Sequence, residues 1–195
     1  VKNPLGIILG GIEFLEVKLK RAGEETRTAL VKMKEAAVRA ADIVDQVLLF
    51  AKPSDLRLVS VDSAELVSEA LSLFQYSDKA RNTRLETDFP AERLHVEVDK
   101  NQIQQVLFNL LSNAVDAMPE GGTVRVGISR ADVAGQTFCR IDVVDHGQGI
   151  AAQDMGRIFE PFFTTKRDRK GTGLGLSMAK SIVEHHKGVL KLDSQ

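Results

Sequence analysis

The pattern of hydrophobic and polar positions divides the chain into a helical first part and a mixed second part. In residues 1–52, apolar side chains recur at alternating intervals of three and four, the heptad pattern of a coiled coil or four-helix bundle. Two stretches follow it: Leu5, Ile8, Ile12, Leu15 and Leu19, then Leu30, Met33, Ala37, Ala40, Val44, Val47 and Ala51. Ala22 and Gly23 interrupt the pattern, which therefore predicts an antiparallel hairpin of two helices.

A hairpin of two helices leaves its apolar seam half covered. Two copies from two chains would complete a four-helix bundle, so we predict a homodimer. The alternative is that the seam packs on the second part of the same chain.

A proline marks the end of the helical part. Pro53 disfavours helix at Lys52, and we take residues 53–60 as a linker to a domain over residues 61–195. Helices are predicted there over residues 63–80, 99–118 and 175–187, and Asp99 is the N-cap of the second. Strands are predicted over residues 83–89, 94–98, 124–128, 139–143 and 189–192. The predicted fold class is α+β, a sandwich with helices on one face of a mixed sheet.

Composition and charge exclude several classes of function. The chain has 26 Lys and Arg against 27 Asp and Glu, a net charge of −1, which disfavours a nucleic-acid binder. No apolar run approaches the roughly 18 residues of a membrane span. A single cysteine, Cys139, excludes an internal disulfide and fits a reducing compartment, so we expect a cytoplasmic location. Because Val1 is not preceded by Met or a leader, we expect a segment of a longer protein.

Three polar segments are candidates for chemistry. Asn109, Asn113 and Asp116 share one face of the helix predicted over residues 99–118. This face is either exposed to solvent or supplies hard oxygen ligands for Mg²⁺. Asp145, Gly147 and Gly149 end an apolar strand; they form either a simple turn or a pocket in which a carboxylate accepts a hydrogen bond from an exocyclic amine.

The third segment is rich in glycine. Residues 171–177 read Gly-Thr-Gly-Leu-Gly-Leu-Ser and lead into a helix, so their amides can bind phosphate. They match neither a P-loop nor a dinucleotide-binding fingerprint. The irregular stretch 146–171 before them is long enough to be a lid, and its basic run over residues 166–170 is either a phosphate contact or a solvated loop.

Taken together, these segments resemble the N, G1, F and G2 boxes of two-component sensor histidine kinases. The matching residues are Asn109-Leu-Leu-Ser-Asn113-Ala, Asp145-x-Gly-x-Gly, Phe159-Glu-Pro-Phe-Phe-Thr-Thr-Lys166 and Gly171-Thr-Gly-Leu-Gly-Leu. Val1-Lys2-Asn3-Pro4-Leu5 is similar to the end of the H box, and Asn113 to Met118 with the following Pro-Glu-Gly-Gly resembles the nitrogen-regulation type. The resemblance covers nearly the whole chain.

The resemblance implies a dimerisation and histidine-phosphotransfer hairpin followed by an ATP-binding domain of the Bergerat type. ATP and Mg²⁺ are the implied cofactors, and a response-regulator receiver domain is the implied partner. Asp145 would bind the adenine amino group, Gly147 and Gly149 would line the base pocket, and Asn113 would hold Mg²⁺. Phe159 and Phe162 would anchor the lid. The other implied nucleotide contacts are Asn109, Asp116, Thr164, Thr165, Lys166, Gly171, Thr172, Gly173, Leu174, Gly175 and Leu176.

The same resemblance places the phosphoacceptor histidine two residues before Val1, and the closing strand of the domain after Gln195. We therefore expect this chain to bind nucleotide without phosphorylating itself. Asn3 would lie one helical turn after that histidine, where the family orients a water to remove phosphate from the regulator. His95, His146, His185 and His186 are expected to be surface or supporting residues. Two rival functions are an ATPase or serine kinase on the same fold, and a non-catalytic dimer that responds to nucleotide.

Overall fold

The fold is given by a computed structural model, which describes residues 2–19, 23–51, 56–133, 135–166 and 171–194. The chain divides into two units, Val1–Ser54 and Asp55–Gln195. The predicted helix break at Ala22 lies outside the described residues, as does the basic run 167–170. Among the described residues, no helix combines the length and hydropathy that a membrane span requires.

The first unit is the predicted helical hairpin. Helix α1 runs over Lys2–Lys18 and helix α2 over Glu24–Ala51. Their shared core contains Ile12, Leu30 and Ala37, with Leu9 packed against it, and Lys34 donates to Glu16 at 2.9 Å. Other predicted seam residues remain exposed, namely Ile8, Leu15, Leu19 and Met33. The hairpin thus covers one side of its apolar pattern and leaves the other side open.

The described residues of the second unit form two small sheets. Strand β1 (Val59–Asp62) pairs antiparallel with β3 (His95–Val98). Strands β2 (Thr83–Asp88), β4 (Gly122–Val133) and β5 (Gln136–Val144) form the other sheet, in which β2 is parallel and β5 antiparallel to β4. The mixed sheet is therefore confirmed. The predicted linker is too long at its end, because Val59 already pairs with Val98.

In the described part of the unit, three α-helices accompany these sheets: α3 (Ser63–Gln75), α4 (Lys100–Ala117) and α5 (Gly175–His185). Helices α3 and α4 pack on the three-stranded sheet, and the alternating residues of β4 point into the core between them. The most deeply buried members of this core are Val67, Phe74, Leu111, Val124 and Val126. This packing confirms the α+β class, with helices on a mixed sheet.

Two predicted elements end differently. The helix predicted over residues 63–80 stops at Gln75 and is followed by a separate 3₁₀ turn, Asp78–Ala80. The helix stops because the carbonyl oxygen of Phe74 is already occupied and does not accept the next bond of the α-helix. Both the hydroxyl and the N–H of Ser77 donate to this oxygen, at 2.6 and 2.9 Å. The last predicted helix ends at His185, two residues early, because Lys187 adopts a left-handed conformation with φ 59°.

The strand predicted over residues 189–192 is absent. Burial alternates along these residues, as in a strand, but no described strand pairs with them. Alternation of apolar residues predicts which side chains face inward, whereas a strand also needs a hydrogen-bonded neighbour.

Candidate functional site

Helix α4 is the element around which the candidate residues gather. Asp99 caps its first turn by accepting hydrogen bonds from the N–H of Gln102 and the N–H of Arg57, both at 3.2 Å. The apolar face of the helix is buried through Val106, Leu107, Leu111 and Ala114. The opposite, polar face presents Asn109, Asn113 and Asp116 at intervals of four and three residues. Burial of one face thus fixes where the other one points.

The loop after β5 packs on the C-terminal end of α4. The N–H of Gln148 donates to the carbonyl of Ala117 at 3.1 Å. A Cβ at Gly147 would lie 2.6 Å from the Ala117 carbonyl oxygen, so this approach requires glycine. Asp145 turns back on the loop, where its Oδ1 accepts the N–H of Gly147 at 2.9 Å. Its Oδ2 has no hydrogen bond within the described residues and can accept one from a ligand.

The lid segment and the glycine-rich segment touch through their backbones. The N–H of Phe162 donates to the carbonyl of Gly173 at 2.9 Å, and both residues have positive φ, 68° and 69°. A Cβ at Gly173 would lie 2.4 Å from the Phe162 carbonyl carbon, which only glycine avoids. Phe162 itself keeps a left-handed conformation that is costly for an aromatic residue. The two segments are therefore held in one arrangement.

The start of α5 lies against the polar face of α4. The side-chain amide of Asn109 donates to the carbonyl of Gly175 at 3.2 Å. The first intrahelical bond of α5 runs from the N–H of Met178 to the carbonyl of Leu174. Amides of the preceding turn have no acceptor within the helix, and together with the helix dipole they favour an anion. Asn109 thus lies beside a potential phosphate site.

Lys166, at the end of the described lid segment, reaches the same face of α4. Its Nζ lies 3.4 Å from Asn113 Oδ1 and 3.2 Å from Asp116 Oδ2. Lys79, just before β2, also pairs with Asp116, at 3.4 Å. One carboxylate therefore faces two ammonium groups, so the pairing leaves an excess of positive charge that suits an anionic ligand.

A cavity of about 300 Å³ adjoins this cluster. Its lining includes the charged residues Lys79, Arg81, Lys166 and Asp116 and the apolar residues Val115, Met118 and Pro119. Asp145 does not line it, so the cavity belongs to the charged end of the site and not to the loop after β5.

The remaining candidate residues lie in or near the lid and glycine-rich segments, except Asn3. Thr164 Oγ1 accepts the N–H of Lys166 at 3.1 Å, and Gly171 packs against Thr164. Thr172 Oγ1 accepts the N–H of Leu174 at 3.4 Å. Gly149 has φ 68°, while Thr165 is exposed and Leu176 half-buried. Asn3 is in α1, but its side chain lies outside the described part.

Sequence reasoning missed two contacts. Lys79 joins the cluster through Asp116, 37 residues away, and a lone lysine in a turn carries no signal of that contact. His186 is half-buried and accepts the N–H of Asp99 at 3.0 Å, whereas His95, His146 and His185 are exposed. Cys139 is no nucleophile candidate, because burial raises the pKa of its thiol in spite of a hydrogen bond with Ser63.

A profile of the family described as "Histidine kinase-, DNA gyrase B-, and HSP90-like ATPase" matches residues 98–195. The chain belongs to this family. The four segments that resemble the N, G1, F and G2 boxes all lie within residues 98–195.

Similar proteins point to one branch of the family. Sensor histidine kinase ZraS of Escherichia coli (strain K12) is 34% identical over 195 residues, which is 100% of this chain and 40% of that protein. Sporulation kinase A of Bacillus subtilis (strain 168) is 31% identical over 195 residues, 100% of this chain and 30% of that protein. The chain thus spans two fifths or less of these relatives.

The fold has a solved counterpart. The crystal structure of full-length ShkA in complex with AMPPNP matches 94% of this chain and 39% of that one, with 26% identity and a TM-score of 0.73. The resemblance to sensor histidine kinases is therefore confirmed.

Proposed function

We propose that the chain is the dimerisation and ATP-binding core of a two-component sensor histidine kinase, located in the cytoplasm. One observation carries this proposal: a single helix face, from Asn109 to Ala117, contacts the loop after β5, the lid and the start of α5. A nucleotide bound on that face would meet Asp145 at its base and the amides of the glycine-rich segment at its phosphates. The nucleotide is ATP in this proposal, as in the family resemblance.

The donor set of α4 fits Mg²⁺. Asn113 Oδ1 and Asp116 Oδ2 are hard oxygen atoms, and both already face a cation, the ammonium of Lys166. Mg²⁺ takes few protein ligands and keeps several waters, so one amide oxygen beside the phosphates suffices. Asn113 would hold the ion, which neutralises charge on the phosphate oxygens during transfer. Lys166 would then turn from Asn113 to a phosphate oxygen.

The proposed reaction is phosphoryl transfer. A histidine nitrogen forms a bond to the γ-phosphorus as the bond to the β–γ bridging oxygen breaks; ADP leaves with that electron pair, and the imidazole releases its proton to water. The phosphoryl group then passes from nitrogen to a carboxylate oxygen of a response-regulator aspartate. Asn109 supports transfer over hydrolysis, because its amide donates to Gly175 and cannot act as a base on water.

The hairpin supports homodimer formation. Ile8, Leu15 and Met33, which belong to the predicted seam, are 50%, 40% and 54% exposed, and a second copy would cover such residues in a four-helix bundle. In this proposal the dimer presents its phosphohistidine, and Asn3 one turn later, to the regulator.

The test is titration calorimetry of this chain with ATP and Mg²⁺. We expect Asp145→Asn to weaken binding about 10- to 100-fold, since a charged hydrogen bond to the base is lost. Asp142→Asn is the matched control, because Asp142 lies on β5 just before the loop and pairs with Arg140 instead. Undiminished binding in Asp145→Asn would refute the adenine assignment. A chain extended upstream to the expected histidine should then form an acid-labile phosphoprotein.

A further inference from the structure

His186 links two helices that are far apart in sequence. Its Nε2 accepts a hydrogen bond from the backbone N–H of Asp99 at 3.0 Å, and its Nδ1 lies 2.8 Å from the carbonyl oxygen of Ile182. An N–H can only donate and a carbonyl can only accept, so Nε2 is unprotonated and Nδ1 carries the hydrogen. The contacts therefore require the neutral Nδ1–H tautomer.

The backbone at the end of α5 holds this ring in place. The N–H of Lys187 donates to the carbonyl of Glu184, and the N–H of Gly188 donates to the carbonyl of Val183, both at 2.9 Å. With Lys187 at φ 59°, these two bonds form a Schellman motif directly after His186. The Schellman motif thus fixes the backbone from which the imidazole of His186 extends.

The link completes a pair of ties between α4 and α5. At one end Asn109 donates to Gly175, and at the other the N-cap of α4, Asp99, donates to His186. The two ties are 10 residues apart on α4 and 11 residues apart on α5, about 15 and 16 Å of helix. The helices are therefore antiparallel, and the ties prevent one from sliding along the other.

We propose that His186 is a positioning residue for nucleotide binding. By tying the end of α5 to the start of α4, it keeps the glycine-rich segment at the start of α5 aligned with Asn109 and Asn113. This inference rests on the proposed function, since it assumes that the aligned groups bind ATP. It assigns to His186 no contact with the nucleotide.

His185 offers a matched control on the same turn. Its Nδ1 lies 2.8 Å from the carbonyl of Ser181, as His186 does with Ile182. It is exposed, and within the described residues it makes no bond to α4. His185→Leu and His186→Leu therefore remove the same local contact, but only the second removes the tie to Asp99. His186→Gln keeps a side-chain oxygen that can accept the Asp99 N–H.

The experiment measures binding of AMPPNP with Mg²⁺ by calorimetry in the whole chain at a temperature where every variant is folded. We expect His186→Leu to weaken binding about tenfold, because loss of the tie lowers the fraction of molecules in which the glycine-rich segment is aligned with Asn109. We expect His185→Leu to match wild type, and His186→Gln to recover most of the loss. Hydrogen exchange at the amide of Asp99 should accelerate in His186→Leu alone.

A spectroscopic measurement keeps the inference testable if His186→Leu does not fold. Nitrogen NMR of the wild-type ring should show Nδ1 protonated and Nε2 unprotonated near neutral pH. An Nε2–H tautomer, or equal binding by His186→Leu and His185→Leu, would overturn the positioning role. Failure of wild type to bind AMPPNP would refute the proposed function instead, while the tautomer would still report the tie.

Discussion

The hairpin and the α+β unit bury their apolar side chains to different extents. In the α+β unit, Phe74, Leu111 and Val124 are completely buried within one continuous core. Of the described side chains in the hairpin, Ile12, Leu30 and Ala37 are buried, whereas Ile7 remains 70% exposed. Buried apolar area is the main source of stability. The comparison therefore indicates that the α+β unit has a core of its own, whereas the proposed dimer would supply the hairpin with a further surface.

The largest effect is expected in the core of the α+β unit. Leu111→Ala removes a side chain with 0% exposure from the middle of α4 and should lower the free energy of unfolding by about 3–5 kcal/mol. Leu73→Ala is the matched control, since Leu73 is 62% exposed on α3 and should change it by less than about 0.5 kcal/mol. Urea unfolding, monitored by hydrogen exchange of the β4 amides, measures the free energy of unfolding of both variants. Equal losses in the two variants would contradict a self-contained core.

The second effect concerns the exposed side of the hairpin. Ile8→Glu places a charge on the predicted seam, where Ile8 is 50% exposed, and should weaken dimerisation at least about 100-fold, because the proposed dimer would bury this position. Tyr76→Glu changes a residue that is 92% exposed in the other unit and should leave the dimer intact. Analytical ultracentrifugation over a range of concentrations gives both constants. A wild-type chain that is monomeric at every concentration would refute the dimer.

Local signals predicted α4 to within one residue. Asp99 caps it as its side chain allows, and the apolar spacing continues to Ala117. The end of α3 was predicted wrongly, because the hydroxyl and the N–H of Ser77 both donate to the Phe74 carbonyl. The spacing of apolar residues does not predict these hydrogen bonds. The strand predicted over residues 189–192 was wrong for another reason, since a strand depends on hydrogen bonds to a partner that is distant in sequence. Local chemistry is thus readable from sequence, and competition between contacts is not.

The candidate site shows the same limit. Sequence motifs and their resemblance to a family predicted Asn109, Asp145 and the glycine-rich segment as site residues. They did not indicate that Lys79 reaches Asp116 or that His186 reaches Asp99, contacts that span 37 and 87 residues. Such contacts are created by the packing of α4 against its neighbours and leave no periodic trace.

The third prediction tests the closed end of α5 within the self-contained unit. Lys187→Gly removes a side chain from a left-handed residue with φ 59° and should stabilise the unit by about 0.5–1 kcal/mol. Glu184→Gly introduces the same residue inside the helix, where it should destabilise by about 1 kcal/mol. Calorimetric melting gives the two shifts. Destabilisation by Lys187→Gly would mean that the lysine side chain, and not the backbone, maintains the turn.

The smallest effect belongs to the ion pair within the hairpin. The pKa of Lys34 is raised above its ordinary value of 10.5, chiefly because Glu16 accepts its hydrogen bond and, secondarily, because Glu16 and Glu13 are negative. A raised pKa means that the pair stabilises the hairpin fully below pH 10.5 and loses this effect as the pH rises through the folded-state pKa. Glu16→Gln should therefore melt slightly below wild type at pH 8 and converge with it once the pH rises above the folded-state pKa of Lys34. Glu13→Gln, which removes a charge but no hydrogen bond, should shift the helical melting curve less. A Glu16→Gln difference that is unchanged across this pH range would show that the Lys34 ammonium plays no part in joining α1 to α2.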